Sequence, residues 1–194
     1  MHLEILVEEP SMKSALDVII PKIIGDGHDF DIHVFRGKQD LMSKLDQRLR
    51  AYAKIRTPEW DFRIVVLVDE DRQDCSDLKQ TMVAKAELSG VGDITLNRIV
   101  VEELEAWFFG DIPALRAVYP KVPETIGEQI RFRNPDQIPG GTHEALDRVL
   151  QQNGYRIGLI KTEAAANISK HMDPWRNKSK SFQVFRDGLI RIIN

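Results

Sequence analysis

A chain of 194 residues, 42% hydrophobic and 29% charged, has material for a sizeable core, as one domain or one domain with an appendage. No run approaches the roughly 18 to 20 uncharged apolar residues that span a bilayer, and the opening MHLEILVEE carries acids where a secretory leader is apolar; a cytoplasmic protein with no membrane partner is expected. The single cysteine, Cys75, excludes an intrachain disulfide and a cysteine-rich zinc site. The net charge of −3 is unevenly spread: residues 151–194 hold eight Lys/Arg against three acids, a balance of +5 that leaves −8 for the rest. A basic last quarter beside an acidic body suits an anionic partner and a bound cation, although solvated helix faces of uneven charge give the same composition.

In chain order, residues 3–7 read as a strand that runs into Glu8 and Glu9. Ser11 then reads as an N-cap for a helix carrying Met12, Ala15, Leu16, Ile19, Ile20, Ile23 and Ile24 at helical spacing, with Pro21 expected to kink or shorten it. Phe30, Ile32 and Val34 alternate as a short strand, and Leu41, Leu45, Leu49 and Tyr52 return to helical spacing. The most apolar run, Ile64-Val65-Val66-Leu67-Val68, is the unbroken β-branched segment that a strand buried on both faces requires. It stops abruptly at Asp69-Glu70-Asp71. A helix follows over 76–88, a strand over 94–101, and the first turns of another helix from Glu102 to Trp107, with Asp111 capping one more. Residues 119–141, with four prolines, form an irregular loop, after which Thr142 caps a helix carrying Ala145, Leu146, Val149 and Leu150. Residues 155–160 read as a last strand, followed by helical patterns over 164–171 and from Ser181 onward.

Strands alternating with helices predict an α/β fold, a mostly parallel sheet with helices on both faces, over residues 1–118, and a mainly helical, basic extension over 119–194 packed on the same domain. In such sheets ligands gather beyond the carboxyl ends of the strands. Three strands here end in acids: Glu8 and Glu9, Asp69 to Asp71, and Glu102 to Glu105. Carboxylates crowded on one edge raise each other's pKa unless a cation lies between them, and hard oxygen donors suit Mg2+ or Mn2+. Glu8, Asp69 and Asp71 are therefore the candidate catalytic and metal-binding set, with Asp69 facing solvent. Glu105 is a further candidate ligand, and Glu9 and Glu103 are possible additions. Two positions apart on a helix, Glu103 and Glu105 face different ways, so at most one points inward.

The segments ILVEEPS and IVVLVDED resemble the TOPRIM domain of topoisomerases, primases and OLD-type nucleases, with a glutamate after the first strand and an Asp-x-Asp after a later one. LVEEPS, LVDEDRQDC, VVEELEAWFFGD and KSKSFQVF more closely resemble a TOPRIM-like family of unknown function that is often encoded beside ATPases. The resemblance covers most of the chain. It implies a TOPRIM-like fold, Mg2+ or Mn2+ as cofactor, Glu8 as general acid/base or ligand, Asp69 and Asp71 as the metal pair, nucleic acid as substrate and an ATPase as partner. The glycine that commonly follows the family glutamate is Glu9 here, which adds charge and bulk.

Other residues carry less. The five histidines show no metal-ligand spacing, and Trp107, Phe108 and Phe109 read as core rather than a base-stacking platform. Cys75 is a possible thiol nucleophile, and Lys161 is a possible phosphate contact. Lys178, Lys180 and Ser181 form a possible anion site at a helix start. No P-loop is present. The leading expectation is a metal-dependent phosphoryl-transfer enzyme, most plausibly a nuclease. The alternatives are a non-catalytic adaptor for an ATPase, and a receiver-like domain with Glu8 and Glu9 on magnesium, Asp69 phosphorylated and Lys161 as distal lysine.

Overall fold

The structure, a computed structural model, describes residues 1–70, 74–155 and 157–194. Four parallel strands, β1 (His2–Val7), β2 (Asp29–Val34), β3 (Phe62–Asp69) and β4 (Thr95–Val100), form one sheet in the order β2-β1-β3-β4. They are joined by α1 (Pro10–Ile24), α2 (Lys38–Ile55) and α3 (Cys75–Leu88). After β4 come α4 (Glu105–Phe109), α5 (Ile112–Val118), α6 (Thr142–Gln152), α7 (Lys161–His171) and α8 (Lys180–Ile193). The expected α/β architecture with a helical C-terminal part is what forms.

Alternation along the strands divides the apolar residues between two cores. Leu3, Ile5 and Val7 of β1 and Val65 and Leu67 of β3 face one side, where they pack with Met12, Leu16 and Ile19 of α1 and with Ala165 and Ile168 of α7. Leu6 of β1 and Ile64, Val66 and Val68 of β3 face the other, against Leu41, Leu45 and Leu49 of α2 and Met82 of α3. Continuous burial of β3 thus follows from helices on both faces. The first core also takes in Val122, Phe132, Leu146, Leu150, Phe182 and Phe185, so the segment after residue 118 packs directly on the sheet domain.

The order β2-β1-β3-β4 reverses between β1 and β3. The first crossover steps one way with α1 on one face, and the third steps the other way with α3 on the opposite face, as right-handed crossovers demand. The two strands at the reversal part their outgoing loops, and the crevice left at their carboxyl ends is where open α/β sheets bind ligands.

Four local expectations are corrected. Residues 155 and 157–160 form no strand: Tyr155 N–H bonds Leu150 O at 3.0 Å, Gly158 has φ 76°, and Leu159 N–H bonds Asp147 Oδ1 at 2.8 Å, so the segment is tied to α6. Pro21 does not stop α1, which continues to Ile24 because the proline lies in the last turns. Ser11 lies inside α1, with Glu9 at the cap position, and Thr142 opens α6 rather than capping it.

Candidate functional site at the carboxyl edge of the sheet

Glu8 follows β1 directly, and its Oε1 accepts the backbone N–H of Asp69, the last residue of β3, at 2.5 Å. The parallel register, Val7 opposite Leu67, brings the two strand ends level. Both acids are buried, each 5% exposed, so Asp69 does not face solvent as the sequence suggested. Asp71 lies outside the described residues.

Glu70 organises the described start of the loop beyond β3. Its N–H bonds Val100 O at 2.9 Å, its carbonyl accepts from Lys38 Nζ at 2.9 Å, and its carboxylate accepts from Cys75 Sγ and from Glu102 N–H at 2.8 and 3.0 Å. Glu102 sits at φ 63°, a left-handed conformation that costs a non-glycine residue about 1 to 2 kcal/mol. The Glu70 carboxylate helps to hold it there. Burial and the hydrogen bond to Glu70 push the Cys75 thiol up to about 12, which disfavours the thiolate and with it a nucleophilic role.

The third group of acids meets the C-terminal segment. Because α4 begins only at Glu105, the helical argument does not apply to Glu103, and both side chains turn toward the start of α6. Glu103 Oε2 accepts from Thr142 Oγ1 at 3.2 Å and from His143 N–H at 2.8 Å, supplying the cap that α6 lacks locally. Glu105 is 3% exposed. Its Oε1 lies 3.1 Å from His143 Nδ1, while its Oε2 is buried with no hydrogen-bond partner among the described residues. The hydrogen bond to Glu105 raises the His143 pKa against the opposing effect of burial.

Lys161 opens α7 and closes the edge from above, with Nζ 3.9 Å from Glu9 Oε2. Burial alone would lower its pKa, but Glu105, Glu9, Glu103 and Asp69 together raise it. One ammonium thus sits in the field of acids from the ends of β1, β3 and β4. The sequence singled out Lys161 as a possible phosphate contact after a strand; it begins a helix instead. His143 and Glu70 were missed. His143 lies 38 residues from Glu105, and no local spacing announces the pair.

The ELEAWFFGD segment otherwise builds core. Trp107 is fully buried against Phe182 and Phe185, at centroid distances of 5.0 and 5.1 Å. Gly110 runs so close to Asn177 that a Cβ there would overlap the Asn177 side-chain oxygen. Asp111 caps α5 and takes Arg176 through both oxygens, at 2.8 and 3.0 Å.

The KSKSFQVF segment starts α8, capped by Ser179 rather than Ser181. The Asp136 carboxylate fills this helix start, accepting from Ser179 Oγ at 2.7 Å, from Ser181 Oγ at 3.1 Å, and from the N–H groups of Lys180 and Ser181. Lys178 and Lys180 remain exposed beside it.

Among the described residues, no group of three or more His, Cys, Asp or Glu side chains is arranged to hold a metal ion. The buried carboxylates at this edge are Glu8 and Asp69, joined through the Asp69 N–H, and Glu105. They are hard oxygen donors of the type that magnesium and manganese take, and the partnerless Glu105 oxygen is a buried acceptor that a cation would satisfy.

Comparison with curated proteins and with solved structures gives no match. A family model does match, over residues 7–190, and that span takes in all three groups of strand-end acids, His143 and Lys161. By that match the chain belongs to the family described as "Domain of unknown function (DUF4276)".

Proposed function

We propose that this protein is a divalent-metal-dependent phosphoryl-transfer enzyme, a TOPRIM-like nuclease that acts with a partner ATPase. Glu8, Asp69 and Glu105, with Asp71, would hold Mg2+ or Mn2+. The observation that carries the reading is the buried Glu105 oxygen, without a partner among the described residues, at an edge where two other strands also end in carboxylates. Leaving such an oxygen unsatisfied costs about 1 to 3 kcal/mol, which a bound cation would offset. The resemblance of ILVEEPS and IVVLVDED to TOPRIM supports the same assignment.

A bound divalent ion supplies polarisation of a phosphoryl oxygen and neutralises charge that develops on it. The chain's own groups add to this. Lys161 offers a charge-assisted hydrogen bond to a non-bridging phosphate oxygen. His143, held in its charged form by Glu105 at Nδ1, would give its Nε2 proton to a departing oxygen. Glu9, which replaces the family glycine, is engaged by Ser11 and Lys161.

The test is calorimetric titration with MnCl2, together with incubation of single-stranded and duplex DNA and RNA with Mg2+ or Mn2+. Metal binding and metal-dependent cleavage, both lost in Asp69→Asn, are expected. A wild-type protein that neither binds Mn2+ nor cleaves any of these polymers would end the reading.

One observation favours a second reading, a non-catalytic adaptor for an ATPase. Glu8 binds the Asp69 N–H and Glu103 caps α6, so acids at this edge also serve as braces. Tight binding of the ATPase without cleavage, in the presence of metal, would select it.

A further inference from the structure

Beside the carboxylate edge, a cleft of about 550 Å3 lies between the end of α5, the segment after α6 and one face of α7. Tyr119 and Tyr155 meet edge to face on its wall, with centroids 5.1 Å apart. Ile157 and Ile160 also line it and are 89% and 45% exposed, an unusual outlay of apolar surface for an ordinary loop. Its polar groups are Glu163 and Asn167, one turn apart on α7. Ile160, on the lip, is followed directly by Lys161, so cleft and carboxylate edge are separated by a single peptide unit.

We propose that this cleft is a nucleobase subsite, and that the substrate is therefore single-stranded nucleic acid or a nucleotide splayed out of a duplex. The inference rests on the phosphoryl-transfer reading and names its substrate. Among the described lining residues Glu163 is the only charged one, and the Lys121 ammonium stands 5.6 Å from the Tyr155 ring at the rim, so the cleft suits a neutral group with N–H donors for the Glu163 side. A base has two apolar faces for the tyrosine and isoleucine walls and N–H donors at its edge for the Glu163 carboxylate. Asn167 Oδ1 accepts from Lys170 Nζ at 3.0 Å, which leaves the Asn167 amide N–H groups for an acceptor on the base. A phosphate attached to that base would fall toward Lys161. A base stacked inside a duplex cannot enter such a pocket unless it is unpaired.

The experiment measures binding of a single-stranded oligoadenylate, an abasic oligomer of equal length and charge, and a duplex, at low salt in EDTA so that nothing is cleaved. The base-bearing strand should bind about 5- to 100-fold more tightly than the abasic one, the range expected for one stacked base. Ile157→Ser, at a highly exposed position, and Tyr155→Leu should each remove most of that difference and leave abasic binding unchanged. Equal binding of the two strands, preference for the duplex, or no single-strand binding would overturn the proposal. So would an Ile157→Ser change felt only in the oligomeric mass, which would assign the cleft to self-association. Mn2+ calorimetry on the same protein after removal of the EDTA keeps the two readings apart. Base selectivity without Mn2+ binding sinks the metal site alone, and Mn2+ binding without base selectivity sinks the cleft alone.

Discussion

Glu105, at the start of α4, and His143, in the first turn of α6, meet at 3.1 Å across 38 residues of sequence. This pairing joins the acids of the sheet edge to the C-terminal helices. Its consequence for pH follows from the raised His143 pKa. A histidine whose folded pKa lies above its unfolded value contributes stability that is fully present below about pH 6.5 and is lost as pH rises through the folded pKa. In the metal-free protein, proton NMR should show the His143 ring titrating above the ordinary value, and Glu105→Gln should bring it back down. A ring that titrates identically in both proteins would contradict the pairing.

Asp69→Asn keeps size and shape at a buried strand end while removing a charge from the edge. The fold should survive, since reduced repulsion among the acids offsets the change. Manganese affinity should fall by at least roughly 10- to 100-fold, the cost of changing even a group that only orients a ligand. Unchanged affinity by calorimetry would remove Asp69 from the site.

Cys75 should be sluggish toward alkylation. With its thiol pushed up to about 12, the thiolate fraction near pH 8 falls about three orders of magnitude below that of a free cysteine. Glu70→Gln removes the charged acceptor and should speed the reaction with iodoacetamide. Rapid labelling of the wild type would show that the hydrogen bond to Glu70 does not hold.

Gly110→Ala should destabilise, because its Cβ would overlap the Asn177 side-chain oxygen inside a packed junction. Overpacking of this kind costs about 1 to 3 kcal/mol or more. Gly27→Ala is the control, with nothing within 4 Å of its added Cβ. Thermal unfolding should separate the two by several degrees, and equal midpoints would contradict the close approach.

Lys178 and Lys180 stand exposed beside a helix start that Asp136 already fills. If they bind a nucleic-acid backbone, replacing both with Ala should lower the slope of log affinity against log salt by about 0.7 to 0.9 for each phosphate no longer neutralised. An unchanged slope places them outside the interface.

The sheet was legible in the sequence because β3 carries a β-branched run without polar interruption, and only burial on both faces requires that pattern. Three strand ends bearing acids were legible for the same reason. Where reading failed, the partner was remote. The helix start at Ser181 looked open to an anion, yet it is filled by Asp136, 45 residues upstream in a loop with no periodicity. His143 showed no metal spacing because its partner is a carboxylate on another element. Residues 155–160 have strand-like composition, but Gly158 and the Asp147 hydrogen bond turn residues 157–160 back toward α6.

The closing of the edge by Lys161 has a consequence for biosynthesis. The ribosome delivers Glu9, Asp69, Glu103 and Glu105 first, and the ammonium that stands in their field, with the imidazole that engages Glu105, arrives only in the last third of the chain. Until then the edge lacks that ammonium, and the emerging sheet lacks the helices α6, α7 and α8 that cover one of its faces. Assembly of the carboxylate edge and completion of the core are thus one late event, so whatever the edge binds can meet it only after α7 has been made.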